Sequence, residues 1–429
     1  MCYAIPAKLV KIEKSMGIVD YFGEKRKILL DQGEAKEGDY VYAQGGVFIK
    51  KIPRDDALEI METWKEIFLE LKKVDKSLAK INKNEVSQNI LEILQKINYR
   101  KSLQRDELKS LFSLQKKNEL TVLYEVANHV RERSHGNASC VHGIIEFSNY
   151  CRENCFYCGI RRDRKILRYR MSAEEIIAKA KNSVDNYGFK AIVLQSGEDS
   201  YYKTDVLEHI VREVRNLGVL VFVSIGFRDI QVYQKLYNAG ARAALLRFET
   251  SNEKIFKKLR PGTCLSDRIK LIREIKKIGY VLATGFILGL PGETTDDILN
   301  NILLTKYLGP DMYSFGPLIP TKETPLEKER KYKISDILKT IAIARLADAN
   351  SNILVTTALE TLDKTSQKKA LMAGANSMMI NLTPFKFKEM YSIYDNRAGI
   401  KEKLSLNVEN VVELLYSLGR APTDLGLFR

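Results

Sequence analysis

Three cysteines stand close together in the middle of the chain, at a spacing that suits a metal cluster. Cys151, Cys155 and Cys158 form a C-x3-C-x2-C run, so their thiolates can converge on one small inorganic centre. Three protein thiolates leave one iron of a four-iron cluster without a protein ligand. A small molecule can chelate that iron and accept an electron from it. The run therefore indicates redox chemistry at an iron–sulfur cluster.

A zinc site is the main alternative for these cysteines. Structural zinc normally takes four ligands, often as two separated pairs, and the remaining cysteines, Cys2, Cys140 and Cys264, form no second pair. Disulfides are disfavoured because nothing in the sequence indicates an oxidising compartment. Zinc stays an alternative, but the iron–sulfur interpretation fits the spacing better.

The composition is that of a soluble globular protein. The chain has 429 residues, of which 45% are hydrophobic and 29% charged, and this length suits two or three domains. No run of eighteen apolar residues occurs, so we expect no membrane span. Charged residues from Lys8 onward leave no room for a secretory signal. We therefore expect a cytoplasmic protein, where reduced thiols and oxygen-sensitive clusters survive.

The net charge of +15 raises nucleic acid as a partner. Many of the lysines and arginines alternate with acidic residues, as in RDELK at 105–109, which is typical of solvated helix faces. We therefore do not expect nucleic acid to be a partner.

The N-terminal segment and the helix after it predict a small separate domain. Residues 1–50 alternate short apolar runs with turn signals, which predicts a small OB-like β-barrel. Pro53 then opens an amphipathic helix. Its apolar face, predicted to pack on its own barrel, consists of Ala57, Ile60, Met61, Trp64, Ile67, Phe68 and Leu71.

The rest of the chain alternates strand and helix patterns, which predicts an α/β fold. We expect eight strands, each followed by a helical stretch, at 143–147, 191–195, 219–225, 243–248, 281–287, 312–316, 352–357 and 377–381. Eight such units argue for a (β/α)8 TIM barrel, whose chemistry lies at the C-terminal strand ends. The cysteine run falls just past the first strand. The predicted domains are 1–75, a helical and polar linker at 76–95, and the barrel at 96–429.

From about residue 87 onward the chain resembles the HydE maturase family of [FeFe]-hydrogenase, which are radical S-adenosylmethionine (SAM) enzymes. The resemblance rests on the cysteine run together with IIEFSN at 144–149, GIRRD at 159–163, VLQSGED at 193–199, KLRP at 258–261 and GLPG at 289–292. Motifs of this length are far more specific than the cysteine run alone. The resemblance implies one [4Fe-4S] cluster on the three catalytic cysteines, and SAM as the second cofactor.

The resemblance also implies which residues bind SAM. Tyr157 would lie against the adenine, and Ile287 belongs to the strand on the adenine side. Ser196, Gly197 and Glu198 stand where the family binds the methionine amino group. Glu249 would bind the ribose or the amino end. Arg268 would pair with the methionine carboxylate, a task that suits a planar two-pronged donor.

Deeper in the barrel, the family binds a small organometallic substrate. The matching positions are Arg247, Thr356, Thr357, Met379 and Tyr391. Without the resemblance, the two threonines would be taken for ordinary β-branched strand residues.

Two departures from the family pattern bear on function. No cysteine follows Cys264, so the second cluster of some members cannot form. Phe248 stands where the family often has histidine, which predicts a different substrate pocket.

Residues 1 to about 75 resemble a second maturation family, the HypC chaperones of [NiFe]-hydrogenase. The match lies in MCYAIP at 1–6, GDYV at 38–41 and the glycine pair Gly45–Gly46. The resemblance implies that Cys2 carries an iron bearing CO and cyanide, an Fe(CO)(CN) unit, for which a soft thiolate is a suitable ligand. That family commonly has a histidine near the position of Gln44.

Taken together, these patterns predict a hydrogenase-maturation enzyme that fuses an iron carrier to a radical SAM barrel. Reductive cleavage of SAM would give a 5′-deoxyadenosyl radical that acts on an iron–CO/cyanide precursor. The expected partners are hydrogenase maturation proteins or a hydrogenase precursor, and an electron donor such as ferredoxin or flavodoxin. Two alternatives stay open: an RNA-modifying radical SAM enzyme with an OB-like RNA-binding domain, and a non-catalytic metal-carrying scaffold.

Overall fold

The computed structural model describes residues 3–30, 35–81 and 103–426, together with residues 88, 92, 93, 95 and 96. Cys2 and much of the predicted linker lie outside these residues. The N-terminal segment is a closed barrel in the order β1-β2-β3-β5-β4, which confirms the predicted small barrel. Its strands are β1 (Ala7–Glu13), β2 (Met16–Tyr21), β3 (Glu24–Leu29), β4 (Tyr40–Gln44) and β5 (Val47–Ile52).

The helix Arg54–Leu78 attaches the small barrel to the rest of the molecule. Trp64, Phe68 and Leu71 are buried in the core of the small barrel, as their spacing predicts. Near the other end of the helix, Asp75 accepts two hydrogen bonds from Arg131, at 2.6 and 2.7 Å. Both side chains are almost wholly buried. The helix therefore runs past the predicted domain boundary and is fixed to the large barrel by an ion pair.

The large domain is a parallel eight-stranded barrel, and the predicted TIM-barrel fold is confirmed. The strand order is β14-β12-β10-β9-β8-β7-β6-β15, and a parallel bridge between Leu354 and Ser377 joins the two end strands. These strands are β6 (Ala138–Ser148), β7 (Ala191–Ser196), β8 (Leu220–Ser224), β9 (Ala243–Leu245), β10 (Val281–Thr284), β12 (Met312–Tyr313), β14 (Asn352–Ile353) and β15 (Ser377–Asn381).

Helices surround this barrel. They span Arg105–Phe112, Lys117–His135, Ala173–Tyr187, Thr204–Asn216, Ile230–Asn238, Glu253–Leu259, Leu265–Ile278, Thr295–Tyr307, Ile334–Ala347, Thr357–Leu362, Ser366–Met372, Phe385–Lys388 and Leu404–Ser417. A last short strand, β16 (Ala421–Pro422), pairs with the beginning of β6. None of the described helices is both long and apolar enough to cross a membrane.

Several strands are shorter than predicted. The predicted strand 281–287 divides into β10 and β11 (Ile287–Leu288), and 312–316 divides into β12 and β13 (Gly316–Pro317). Between these pieces, Gly285 packs so tightly that a Cβ atom would lie 2.3 Å from the carbonyl oxygen of Ser314. The predicted strand 352–357 ends at Ile353, because Thr356 and Thr357 begin a short helix instead.

The small barrel covers the floor of the large barrel, at the N-terminal ends of its strands. Tyr42, Ile49 and Ile52 share one apolar cluster with inward-facing side chains such as Ile144 and Phe222. Beside this cluster, the hydroxyl of Tyr3 donates to Asn137, the residue before β6, at 2.9 Å. The floor is therefore closed by packed apolar side chains, and the C-terminal strand ends form the opposite face.

Candidate functional site

A cavity of about 300 Å³ lies at the C-terminal ends of the barrel strands. Every site residue predicted from the sequence lines it, except Cys2, which lies outside the described residues. These residues are Cys151, Cys155, Cys158, Tyr157, Ser196, Gly197, Glu198, Glu249, Arg268, Ile287, Arg247, Thr356, Thr357, Met379 and Tyr391. These residues span 241 positions of the sequence, and the fold brings them together around one cavity.

The three cysteines lie on the loop that follows β6. The backbone N–H of Glu198 donates to Sγ of Cys151 at 3.4 Å. Burial raises the pKa of all three thiols, that of Cys155 to about 11, and the neighbouring thiolates raise the pKa of Cys158 further. Burial and mutual repulsion make three crowded thiolates costly, and bound iron removes that cost. The donor set therefore fits an iron–sulfur cluster.

Next to the cysteines, three arginines converge on Glu198. The shortest separations from its carboxylate are 3.4 Å to Arg260, 3.6 Å to Arg152 and 3.7 Å to Arg268. Arg260 also donates to the hydroxyl of Tyr157 at 3.0 Å. Oε2 of Glu198 and Nε of Arg260 have no hydrogen-bond partner among the described residues. Buried polar atoms without partners are costly, so this corner fits a ligand with both charged and hydrogen-bonding groups.

Glu249 has an unusual backbone conformation at the cavity wall. Its φ angle is 71°, in the left-handed region that non-glycine residues rarely adopt. Its backbone pairs with Phe286, and its carboxylate lies 3.2 Å from Arg247. Strained conformations of this kind cluster at ligand sites, which agrees with the position of Glu249 in the cavity.

One wall of the cavity is apolar. Ile287 and Tyr157 belong to a cluster that also contains Leu259, Leu290, Leu318 and Leu326. A flat aromatic group can pack against such a surface, so this wall fits the adenine of SAM.

The inner part of the cavity combines apolar side chains with hydroxyl groups. Tyr391 is buried, and Met379 packs against the apolar cluster of the floor. Thr357 shares a hydrogen bond of 2.8 Å with Tyr394, whereas Oγ1 of Thr356 has no partner among the described residues. This inner end offers hydrogen-bonding hydroxyls in surroundings that exclude most water.

Sequence reasoning missed one buried ion pair and one further arginine at the site. Arg397 lines the cavity and forms a buried ion pair of 2.6 Å with Glu146, which also accepts from Asn381 at 2.8 Å. Arg260 was missed as a site residue, although KLRP at 258–261 carried part of the resemblance. Glu146 likewise lies within IIEFSN at 144–149, so these motifs were the signals that could have found both residues.

The position of Phe248 gives no support to the prediction that the pocket holds a different substrate. Phe248 is fully buried in the outer core and packs against Phe286, with ring centres 6.1 Å apart. It does not line the cavity. Its neighbours Arg247 and Glu249 line the cavity, whereas Phe248 packs in the hydrophobic core of the large barrel.

Three family models match successive parts of the chain. The HupF/HypC family matches residues 1–64, the radical SAM superfamily residues 145–305, and the Biotin and Thiamin Synthesis associated domain residues 314–419. The first match favours the maturation fusion over an RNA-binding N-terminal domain.

The chain is also similar to characterised proteins over most of their length. It is 40% identical to the [FeFe] hydrogenase maturase subunit HydE of Thermotoga maritima, over 77% of this chain and 95% of that protein. It is 31% identical to 3-methylornithine synthase of Methanosarcina acetivorans, over 76% of this chain and 92% of that protein. The crystal structure of methylornithine synthase (PylB) superposes with a TM-score of 0.69 at 28% identity, over 77% of this chain and 97% of that one.

These similarities and the cavity geometry agree. The cysteine run, the charged corner around Glu198 and the apolar wall all occur in one space at the catalytic end of the barrel. The chain is therefore a radical SAM enzyme that belongs to the HydE family and carries an N-terminal HupF/HypC domain.

Proposed function

We propose that this enzyme acts in the maturation of a hydrogenase metal centre, on an iron–CO/cyanide precursor bound in the inner cavity. The observation that carries the proposal is the union, in one chain, of a HydE-like barrel and a HupF/HypC domain. The HydE relative is named as a maturase subunit of [FeFe] hydrogenase, and residues 1 to about 75 resemble the HypC chaperones of [NiFe]-hydrogenase. Their fusion supports a shared task.

The cofactors of the family assign roles to the mouth of the cavity. Cys151, Cys155 and Cys158 would hold the [4Fe-4S] cluster, which when bound supplies one electron to SAM and so releases methionine and a 5′-deoxyadenosyl radical. Arg268 would bind the methionine carboxylate, and Glu198 its amino group. Tyr157 and Ile287 would flank the adenine on the apolar wall.

The side chains that line the inner cavity suit a small, anionic substrate. Arg247 presents a guanidinium group, and Thr356 a hydroxyl without a partner among the described residues. Cyanide and carboxylate groups accept hydrogen bonds from both. Tyr391 and Met379 provide apolar surface around them, which would keep water from a reactive radical.

A second candidate is the synthesis of an amino acid, since relatives at 31% identity are named 3-methylornithine synthase. Arg397 favours it, because this arginine lines the cavity and a guanidinium group suits the carboxylate of an amino acid. The two candidates are separated by 5′-deoxyadenosine formation in the reduced holoenzyme. Stimulation by iron–cyanide complexes supports the first, and stimulation by free amino acids alone would contradict it.

Cys2 is proposed to carry the iron unit. Its neighbour Tyr3 is held at the barrel floor through Asn137, whereas the cysteine run follows the other end of β6. An eleven-residue strand spans roughly 36 Å. We therefore propose that Cys2 exchanges its iron unit with a separate maturation protein or with the cavity of a second chain.

Infrared spectroscopy of the anaerobically purified protein tests this carrier role. Metal-bound CO and cyanide bands are expected in the natural protein and are expected to be lost in Cys2→Ser. SAM cleavage under dithionite should persist, because the residues that line the cavity all lie beyond residue 143. Unchanged bands in Cys2→Ser would contradict the carrier role. Deletion of residues 1–75 is a poor substitute for the Cys2→Ser variant. It would expose the apolar floor of the large barrel and leave Arg131 without its ion-pair partner Asp75.

A further inference from the structure

Three side chains of metal-binding type meet inside the barrel floor, far from the cavity mouth. Cys140 and His142 lie on β6, and Asp424 follows β16, which pairs with the beginning of β6. One ligand atom of each lies within 4.8 Å of the other two. Their exposed fractions are 4%, 2% and 1%. None of them has a part in the proposed function.

The spacing of the ligand atoms is that of a metal site. Nε2 of His142 lies 3.3 Å from Oδ2 of Asp424. A charge-assisted hydrogen bond between such groups is usually about 2.7–2.9 Å. Two ligands at about 2.0–2.1 Å from a tetrahedral zinc ion are about 3.3 Å apart. The observed separation therefore matches two ligands of one ion better than a direct hydrogen bond.

The surrounding structure holds these groups in place. Oδ2 of Asp424 accepts from the backbone N–H of Val141 and from the hydroxyl of Thr423, both at 3.0 Å. The ring of His142 packs against Phe222 at 4.9 Å between centres. Nδ1 of His142 has no partner among the described residues. The site is thus rigid, and the hydrogen-bonding capacity of its histidine is only partly used.

A bound cation would stabilise the buried acidic groups of this cluster, Asp424 and Cys140. A buried carboxylate is costly unless it is paired, and among the described residues the ion pairs give Asp424 only His142 as a partner. A divalent ion would neutralise both the carboxylate of Asp424 and the thiolate of Cys140.

We propose that Cys140, His142 and Asp424 form a mononuclear site for a divalent transition-metal ion, zinc or ferrous iron. Sulfur, nitrogen and oxygen ligands together suit these two ions. The ion would link the segment after β16, which contains Asp424, to β6. Ala138 and Ala421 on these strands pack in the same cluster as Tyr3, so the site lies directly beneath the HupF/HypC domain.

Metal titration of the full chain tests the proposal. In a Cys2→Ser, Cys151→Ala, Cys155→Ala, Cys158→Ala background, Co²⁺ is expected to bind once per chain and give thiolate charge-transfer absorption. Adding Cys140→Ser should abolish that absorption, and adding His142→Asn should lower Co²⁺ affinity. Cys264→Ser, at an exposed cysteine, should change neither. Failure to bind Co²⁺, or absorption that survives Cys140→Ser, would overturn the proposal.

A second measurement uses the intact holoenzyme, in case the multiple variant does not fold. Elemental analysis of the anaerobic Cys2→Ser protein should find one zinc or iron beyond the cluster, and this ion should be lost when Cys140→Ser is added but kept when Cys264→Ser is added. The identity of the ion separates zinc from ferrous iron. A chelator should lower the melting temperature of the natural protein and leave that of Cys140→Ser unchanged. Equal metal content in the two variants would refute the site.

Discussion

Glu198 lies among more positive charge than its carboxylate can neutralise. Arg152, Arg260 and Arg268 lie within 3.7 Å of it, and the only other carboxylate that pairs with them among the described residues is Glu153. Three guanidinium groups against two carboxylates leave one positive charge beside the cysteines. A ligand carboxylate would neutralise it, which is the task proposed for Arg268.

Arg268→Ala should weaken SAM binding by about 1.5–3 kcal/mol, the usual contribution of a hydrogen bond to a charged group. The cluster should still form, because the partners of Arg268 among the described residues are the carbonyl of Arg247 and the carboxylate of Glu198, and neither is a cluster ligand. Calorimetric titration of the holoenzyme with SAM measures the change. Arg273→Ala is the matched control, since Arg273 lies on the exposed face of the same helix. Equal SAM affinity in the two variants would argue against the role.

The absorption of the iron–sulfur cluster tests which cysteines are its ligands. Replacement of Cys151, Cys155 or Cys158 by Ala should remove the iron–sulfur absorption of the anaerobic protein and all cleavage of SAM. Cys264→Ala and Cys140→Ala should leave both intact, since neither residue lines the cavity. Loss of the cluster in the Cys264 variant would show that the ligand assignment is wrong.

The residues that the motifs indicated line one cavity, but the motifs do not specify the contacts between them. Arg260 contacts Tyr157 and Glu198, which stand 103 and 62 residues away in sequence. Arg397 and Glu146 pair over a still longer separation. Such pairs depend on how the barrel closes, and local patterns do not specify that.

At the scale of elements, the loop after β7 must approach the cysteine loop closely. A Cβ atom on Gly197 would lie 2.2 Å from the carbonyl oxygen of Tyr150 and 2.9 Å from Cβ of Cys151. Both neighbours belong to the backbone or to a cluster ligand, so neither can move without disturbing the cluster loop.

Gly197→Ala should therefore displace the cysteine loop, at a cost of about 1–3 kcal/mol, as is typical of overpacking. Iron content per chain and SAM affinity are both expected to fall. Gly426→Ala is the control, because the nearest atom to its Cβ would lie at an ordinary 3.6 Å. Full cluster occupancy in Gly197→Ala would mean that the two loops have more freedom than their packing indicates.

The number and order of the barrel strands followed from the sequence, whereas several of their ends did not. Apolar runs predicted all eight strands, because strands buried on both faces are continuously apolar. The runs continue through Gly285 and Ile353, where the strands stop. The breaks arise from close packing at Gly285 and from the helix that begins at Thr357. Tertiary contacts therefore set these boundaries.

At the scale of the whole molecule, the cluster lies beside a strongly basic segment. Seven basic residues and two acidic ones fall between positions 152 and 170, and Arg152, Arg162 and Lys165 are exposed. Complementary charge mainly raises the rate at which partners associate. This segment therefore fits an acidic electron donor, such as the ferredoxin or flavodoxin expected from the sequence.

Reversing two of these charges tests the docking surface. Arg162→Glu with Lys165→Glu should slow cluster reduction by a flavodoxin about tenfold or more at low salt. Reduction by dithionite should not change. Lys73→Glu with Lys76→Glu, on the exposed face of the helix Arg54–Leu78, is the control for net charge. Equal slowing in both double variants would place the docking surface elsewhere.

The packed floor has a kinetic consequence. Because Tyr42, Ile49 and Ile52 close that end, the described part of the chain leaves the mouth, where SAM is expected to bind, as the route into the inner cavity. A bound SAM molecule would stand between the solvent and the inner residues Met379 and Tyr391. The order of events is then compulsory: substrate enters first, SAM second, and methionine and 5′-deoxyadenosine leave before the product does. Steady-state turnover should accordingly show ordered substrate addition, and excess SAM should inhibit by trapping enzyme whose inner cavity is still empty.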